Sequence, residues 1–188
     1  MKLEFKGPLS FVGDVQMVFS GDLEEISCVY LWTIEQQSGD YLIHYIGETN
    51  QLALRHREHL VNILGFSYGI FDARKLRNGI CELLWPGLWR KKTPDGPKEA
   101  LYAYRSLSDE VLAYLGSISI FYAEVDADRP GRKLIEGIIG WNLREVHPEH
   151  AILYPADNYV ERPAENMRAE LNITVPQVIL GLDGSIRS

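Results

Sequence analysis

Two stretches, Cys28-Val-Tyr-Leu-Trp-Thr-Ile34 and Tyr41-Leu-Ile-His-Tyr-Ile46, are dense in β-branched and aromatic residues and are separated by the polar segment Glu35 to Asp40, which contains Ser38-Gly39. Such side chains favour a pleated surface, and a short glycine-containing linker between two such runs predicts a β-hairpin. No other feature constrains the chain as strongly, and the remaining elements are placed around this pair.

Upstream, residues 2 to 20 predict one or two short strands. Leu3 and Phe5 alternate with Lys2, Glu4 and Lys6, Gly7-Pro8 breaks the run, and Val15 to Phe19 is apolar. The acidic turn Gly21 to Glu25 ends this leader. Downstream, Leu52, Leu60, Ile63 and Leu64 recur at helical spacing over Asn50 to Leu64, with Asn50 as the expected N-cap. Tyr68-Gly, Asn78-Gly, Trp85-Pro-Gly and Thr93-Pro-Asp-Gly-Pro leave room only for short elements over residues 65 to 98, and Pro97 to Leu115 reads as a helix. A third strand is expected over Ser117 to Val125. A helix then follows from about Arg132 to Val146, with Ile135, Ile138, Ile139, Asn142 and Val146 as its stripe.

The expected fold class is therefore α/β (α+β), a small, mainly antiparallel three-stranded sheet flanked by helices. Residues 1 to 26 read as an N-terminal extension, 27 to 160 as the functional domain with an insertion at about 65 to 115, and 161 to 188 as a C-terminal extension. A chain of 188 residues buries enough surface to fold without staples. Its two cysteines, Cys28 and Cys81, lack C-x-x-C spacing, which points to a reducing, cytoplasmic setting. No apolar run approaches the ~18 residues that span a bilayer, so no membrane role is expected. The start, Met-Lys-Leu-Glu-Phe-Lys-Gly-Pro, does not read as a secretory signal.

The formal charge is −7, which argues against a non-specific nucleic-acid coat, but it is unevenly spread. Residues 1 to 48 carry two basic and eight acidic side chains, residues 49 to 105 ten and five, and residues 106 to 188 seven and thirteen. The middle third is thus the place for a polyanion, through Arg74, Lys75, Arg77, Arg90, Lys91 and Lys92, interleaved with Phe71, Trp85 and Trp89.

Cys28-Val29-Tyr30 on the first strand, with Tyr45-Ile46-Gly47 ending the second, resembles the paired signature of the GIY-YIG nuclease superfamily. Arg55 lies eight residues after Gly47 and His59 four further on, where that family places a helical arginine and a following histidine or tyrosine. Residues i and i+4 share a helix face, so the two side chains point the same way. Glu136, on the last helix, matches the family's metal-binding glutamate. Asn158 best matches its late asparagine, with Asn142 as the weaker match. Cys28 stands where the family has glycine, and the tyrosines are fifteen residues apart where shorter spacing is commoner.

The resemblance implies a divalent-metal-dependent nuclease, with DNA as the expected substrate and Mg²⁺ or Mn²⁺ as cofactor. Glu136 would hold the cation and Arg55 the scissile phosphate. Tyr30 would help deprotonate water, assisted by Tyr45 and His59, with Gly47 at the substrate-binding end of the hairpin. Recognition would come from residues 65 to 105, the leader, a partner protein or a homodimer. The competing expectation is a catalytically inactive module on the same scaffold that binds nucleic acid or a protein.

Overall fold

The computed structural model describes residues 1–13, 16–90, 94–155, 170–182 and 184–187. In chain order its elements are β1 (Lys2–Ser10), β2 (Cys28–Glu35), β3 (Tyr41–Thr49), α1 (Leu52–Leu64), β4 (Ile70–Phe71), α2 (Ala73–Leu76), β5 (Leu83–Trp85), α3 (Gly96–Ser117), β6 (Ile118–Glu124), α4 (Arg129–Glu145), β7 (Glu170–Thr174), β8 (Ile179–Leu180) and β9 (Ser185–Arg187). Short 3-10 turns cover Gly21–Leu23 and Pro148–Leu153. No helix among the described residues is long and apolar enough to cross a membrane.

The α/β class holds, but the expected three-stranded sheet does not. The main sheet has seven strands in the order β8-β3-β2-β6-β1-β7-β9, and β4 pairs β5 in a separate ribbon. The three anticipated strands are its centre, where β2 lies antiparallel to both β3 and β6. The other strands are short segments from the ends of the chain. β1 pairs antiparallel with β6, β7 lies parallel to β1, and β8 lies parallel to β3, so the sheet is mixed. The segments read as terminal extensions thus supply strands to the central sheet.

Every residue from Cys28 to Ile34 is buried because both faces of the sheet are covered. Tyr30, Trp32 and Ile34 face a core that includes Leu52, Ala53 and Ile63 of α1 and Val111, Tyr114 and Leu115 of α3. Val29 and Leu31 face the opposite core, which holds Ile135, Ile138, Ile139 and Leu143 of α4.

Two irregularities adjust which face a side chain reaches. The register of β1 slips between Lys6 and Leu9, so Leu3 and Phe5 enter the α4 core whereas Leu9 enters the α1/α3 core. In β3, Trp32 pairs with Tyr45 while Thr33 pairs with Ile43, which leaves His44 as the extra residue of a bulge. Tyr41 and Ile43 therefore face α4, but Tyr45 is turned onto the face that carries Tyr30. A bulge reverses the side-chain parity of the strand beyond it.

Helix boundaries differ from the expectation in small ways. α1 begins at Leu52 with Gln51 as its N-cap, and the cap makes no side-chain bond. Thr49, not Asn50, accepts a hydrogen bond here, from the Gln51 amide at 3.0 Å. α4 starts three residues early, at Arg129, because Asp128 caps it by accepting from the Gly131 amide at 3.0 Å. Val146 follows the helix and is exposed, so it does not extend the apolar stripe.

Candidate functional site

The site straddles the edge of β3. Among the described residues β8 pairs β3 only at Tyr41 and Leu42, so the strand's outer edge beyond them has no strand partner. On one side α1 presents Arg55, His56 and His59. On the other, α4 presents Arg129, Arg132, Lys133 and Glu136.

Tyr30 is 0% exposed, and its hydroxyl is 2.7 Å from His59 Nε2. Arg55 and Tyr45 bear on the same hydroxyl. The Tyr30 and Tyr45 ring centroids are 6.0 Å apart, and that of His59 lies 5.7 Å from Tyr45. Gly47 pairs across the hairpin with Tyr30, and a Cβ there would stand 2.4 Å from the Tyr30 hydroxyl oxygen. Glycine at this position is what lets the buried tyrosine lie across the strand.

Burial raises the Tyr30 pKa well above its ordinary value, with Tyr45 adding to the rise. Burial likewise holds His59 well below the usual histidine range, helped by His56 and Arg55, so the ring is neutral. His56 is fixed in one tautomer, because its Nδ1–H donates to the Leu52 carbonyl at 2.9 Å and its Nε2 accepts from Trp32 Nε1–H at 3.1 Å.

Glu136 is buried, and Lys133 donates to its carboxylate at 2.6 Å. Desolvation raises its pKa, Glu48 adds to the rise, and Lys133 and Arg55 only partly offset it. Burial thus disfavours the charged carboxylate even with Lys133 paired to it. A poorly solvated oxygen donor of this kind fits a hard divalent cation.

Tyr45, Glu48, Thr49, Asn50, Arg55, Arg129, Arg132 and Lys133 line a polar cleft of about 360 Å³. Arg132 anchors it. Its Nε donates to Glu48 at 2.9 Å, and its Nη1 donates to the Ala127 carbonyl at 2.7 Å and to Ser27 Oγ at 3.2 Å. Both side chains of the Arg132–Glu48 pair are 8% exposed. Removing one member of a buried pair leaves the other unpaired. Glu48→Ala is accordingly expected to destabilise the fold by about 3–5 kcal/mol, read as a lower urea midpoint with an unchanged slope. A loss within experimental error would show that the pair does not hold α4 to β3.

Of the residues expected at the site, Tyr30, Tyr45, Gly47, Arg55 and His59 are brought together, while Glu136 lies across the strand edge on α4, within electrostatic reach of Arg55 but not among the residues that line the cleft. Arg74, Lys75 and Arg77 are not. Gln36 donates to the Leu76 carbonyl at 3.2 Å and Gln37 to Asn78 Oδ1 at 2.7 Å, which puts α2 beside the turn of the hairpin, at the end away from Gly47. Lys75 is also paired with Glu82. Arg90 lines a second cavity, described below. Lys91, Lys92 and Asn158 lie outside the described residues. Asn142 is buried on α4, where its side chain donates to the Gly181 carbonyl at 3.4 Å.

Sequence reasoning missed Glu48, Arg129, Arg132 and Lys133. One signal for the cations was present: they crowd the start of α4, the end where the helix dipole disfavours positive charge. Among the described residues, one trio of side chains has ligand atoms within 4.8 Å of one another, as sharing an ion requires: His147, Glu149 and His150. It does not include Glu136.

No family model matches this chain, and no curated protein or solved structure matches it significantly.

Proposed function

We propose that this protein is a divalent-metal-dependent nuclease of the GIY-YIG type that hydrolyses phosphodiester bonds, with DNA as its substrate. The observation that carries this reading is the meeting of Tyr30, Tyr45, Arg55, His59 and Glu136 around one edge of one strand, from segments more than a hundred residues apart.

A strand phosphate fits the cleft lined by Arg55, Arg129 and Lys133, where charge-assisted hydrogen bonds hold it. Arg55 is only half-buried. Burial favours loss of its charge, but Tyr30, Glu58 and Tyr45 outweigh this, so the guanidinium stays charged as negative charge develops on the phosphate. Glu136 would hold Mg²⁺ or Mn²⁺, which when bound supplies Lewis-acid stabilisation of the phosphate oxygens. Lys133 must yield its place on the carboxylate, and its half-exposed side chain can swing into solvent or onto the phosphate.

The two tyrosines then have different tasks. Tyr30 lines neither cavity and is sealed from water, so it acts as a positioning residue that fixes Arg55, Tyr45 and His59. Tyr45 lines both cavities, and we assign it the contact with the attacking water.

The test is cleavage of supercoiled plasmid and of single-stranded DNA. Nicking is expected with Mg²⁺ and Mn²⁺ and complete loss with excess EDTA. Cleavage insensitive to EDTA would remove the mechanism. The Lys133 ammonium already seated on Glu136 favours a second reading, a non-catalytic nucleic-acid-binding module. Salt-sensitive binding with no cleavage in any metal would establish that one instead.

A further inference from the structure

Behind Tyr45 lies a second cavity, of about 290 Å³, and the nuclease reading leaves it without a task. Its size is at the small end of ligand pockets. Its walls are aromatic, with Trp32, Tyr68, Phe71 and Trp89 among them, and His59 and Arg90 also line it.

Two details mark it as more than a packing gap. First, His59 Nδ1 is the one buried side-chain polar atom among the described residues with no hydrogen-bond partner, while its Nε2 is taken by Tyr30. Such an atom is costly to leave unsatisfied, and this one belongs to a ring that lines the cavity. Second, Trp89 is 66% exposed, yet its backbone is held in place. Its amide donates to the Ser67 carbonyl at 3.3 Å and the Leu88 amide to the Phe66 carbonyl at 3.0 Å. Gly87, at φ +86°, lets this loop approach so closely that a Cβ there would stand 2.6 Å from the Ser67 oxygen. The indole is thus an aromatic surface on a held backbone, at the cavity and not used by the core.

We propose that this cavity takes one unstacked nucleobase of the strand held in the adjacent basic cleft, stacked on Trp89 and Tyr68 with its polar edge toward the His59 ring. The inference rests on the nuclease reading in placing a nucleic-acid strand in the cleft, and adds to it a base-binding subsite. A flat heterocycle offers a π-face for the aromatic walls and an in-plane polar edge for the His59 side. Tyr45 lines both spaces, so a base in one and its own or a neighbouring phosphate in the other are within one nucleotide's reach.

The test walks a single abasic residue along a short single-stranded DNA and measures binding by fluorescence anisotropy in EDTA. The abasic penalty is expected to peak at one position, where affinity falls by about ten- to a hundred-fold. Trp89→Ala should flatten that peak and Trp89→Phe should largely keep it. Both variants change an exposed side chain and are expected to fold. Equal penalties at every position, or the same peak in Trp89→Ala, would overturn the proposal. Cleavage in Mg²⁺ without a peak removes the subsite and leaves the nuclease. A peak without cleavage in any metal does the reverse, and failure to bind the strand at all removes both.

Discussion

Replacing Glu136 with alanine is expected to lower phosphodiester cleavage by about 10²- to 10³-fold or more, while binding of the strand changes only a few-fold. Glu136 is the α4 carboxylate within electrostatic reach of Arg55, and the nearby Glu48 is already committed to Arg132. Arg55, Arg129 and Lys133 remain to hold the phosphate. Misfolding is separable from loss of chemistry. Burial raises the Glu136 pKa, so the folded protein binds protons more readily than the unfolded chain there, and charging the carboxylate works against folding as pH rises. Glu136→Gln removes that charge and is expected to melt at the wild-type temperature or above it while remaining inactive. Wild-type cleavage by either variant would take Glu136 out of the mechanism.

A second large effect is unfolding in mild acid. His44, His56 and His59 are all buried and neutral. Burial pushes the first two down to about 4, and His59 is held well below its ordinary value. Their folded pKa values lie below the unfolded value of about 6.5, so the unfolded chain takes up protons first. Stability is therefore complete above about pH 6.5 and is lost as pH falls toward 4.

By pH 5, His44 and His56 each withdraw about 2 kcal/mol, and His59 adds to the loss. Against a total of about 5–15 kcal/mol for an ordinary domain, this should lower the melting temperature steeply between pH 7 and 5, before most carboxylates titrate. Equal melting temperatures at the two pH values would show that these rings find room to carry charge. The bonds explain why they cannot. His44 Nδ1–H donates to the Leu153 carbonyl at 2.8 Å, leaving Nε2 to accept from the Tyr114 hydroxyl at 2.9 Å, and His56 is committed at both nitrogens.

The central hairpin, β6 and α4 were legible because each carries its signal locally, in runs of β-branched and aromatic residues or in an apolar stripe. The edge strands were not. β8 and β9 have two and three residues, too few for any periodicity to register, and β8 pairs with β3, far away along the chain. The chain order of Tyr30, Tyr45, Arg55, His59 and Glu136 was readable; the first four meet, with Glu136 across the strand edge. That Tyr30 is sealed was not, since it follows from the packing of α1 over the sheet.

By itself, then, the sequence determined the central hairpin and which helix face carries Arg55 and His59, because backbone periodicity sets both within a few residues. Only the tertiary structure decided what those residues can do. The bulge at His44 turns Tyr45 onto the face of Tyr30, and Glu48 reaches across 84 residues to lock Arg132 under the cleft. The Gly87 loop sets Trp89 over a cavity whose walls come from seven separate segments. Each depends on groups that meet only when layers pack, where a shift of one residue in register, or one added methyl group, changes which face or which partner a side chain finds.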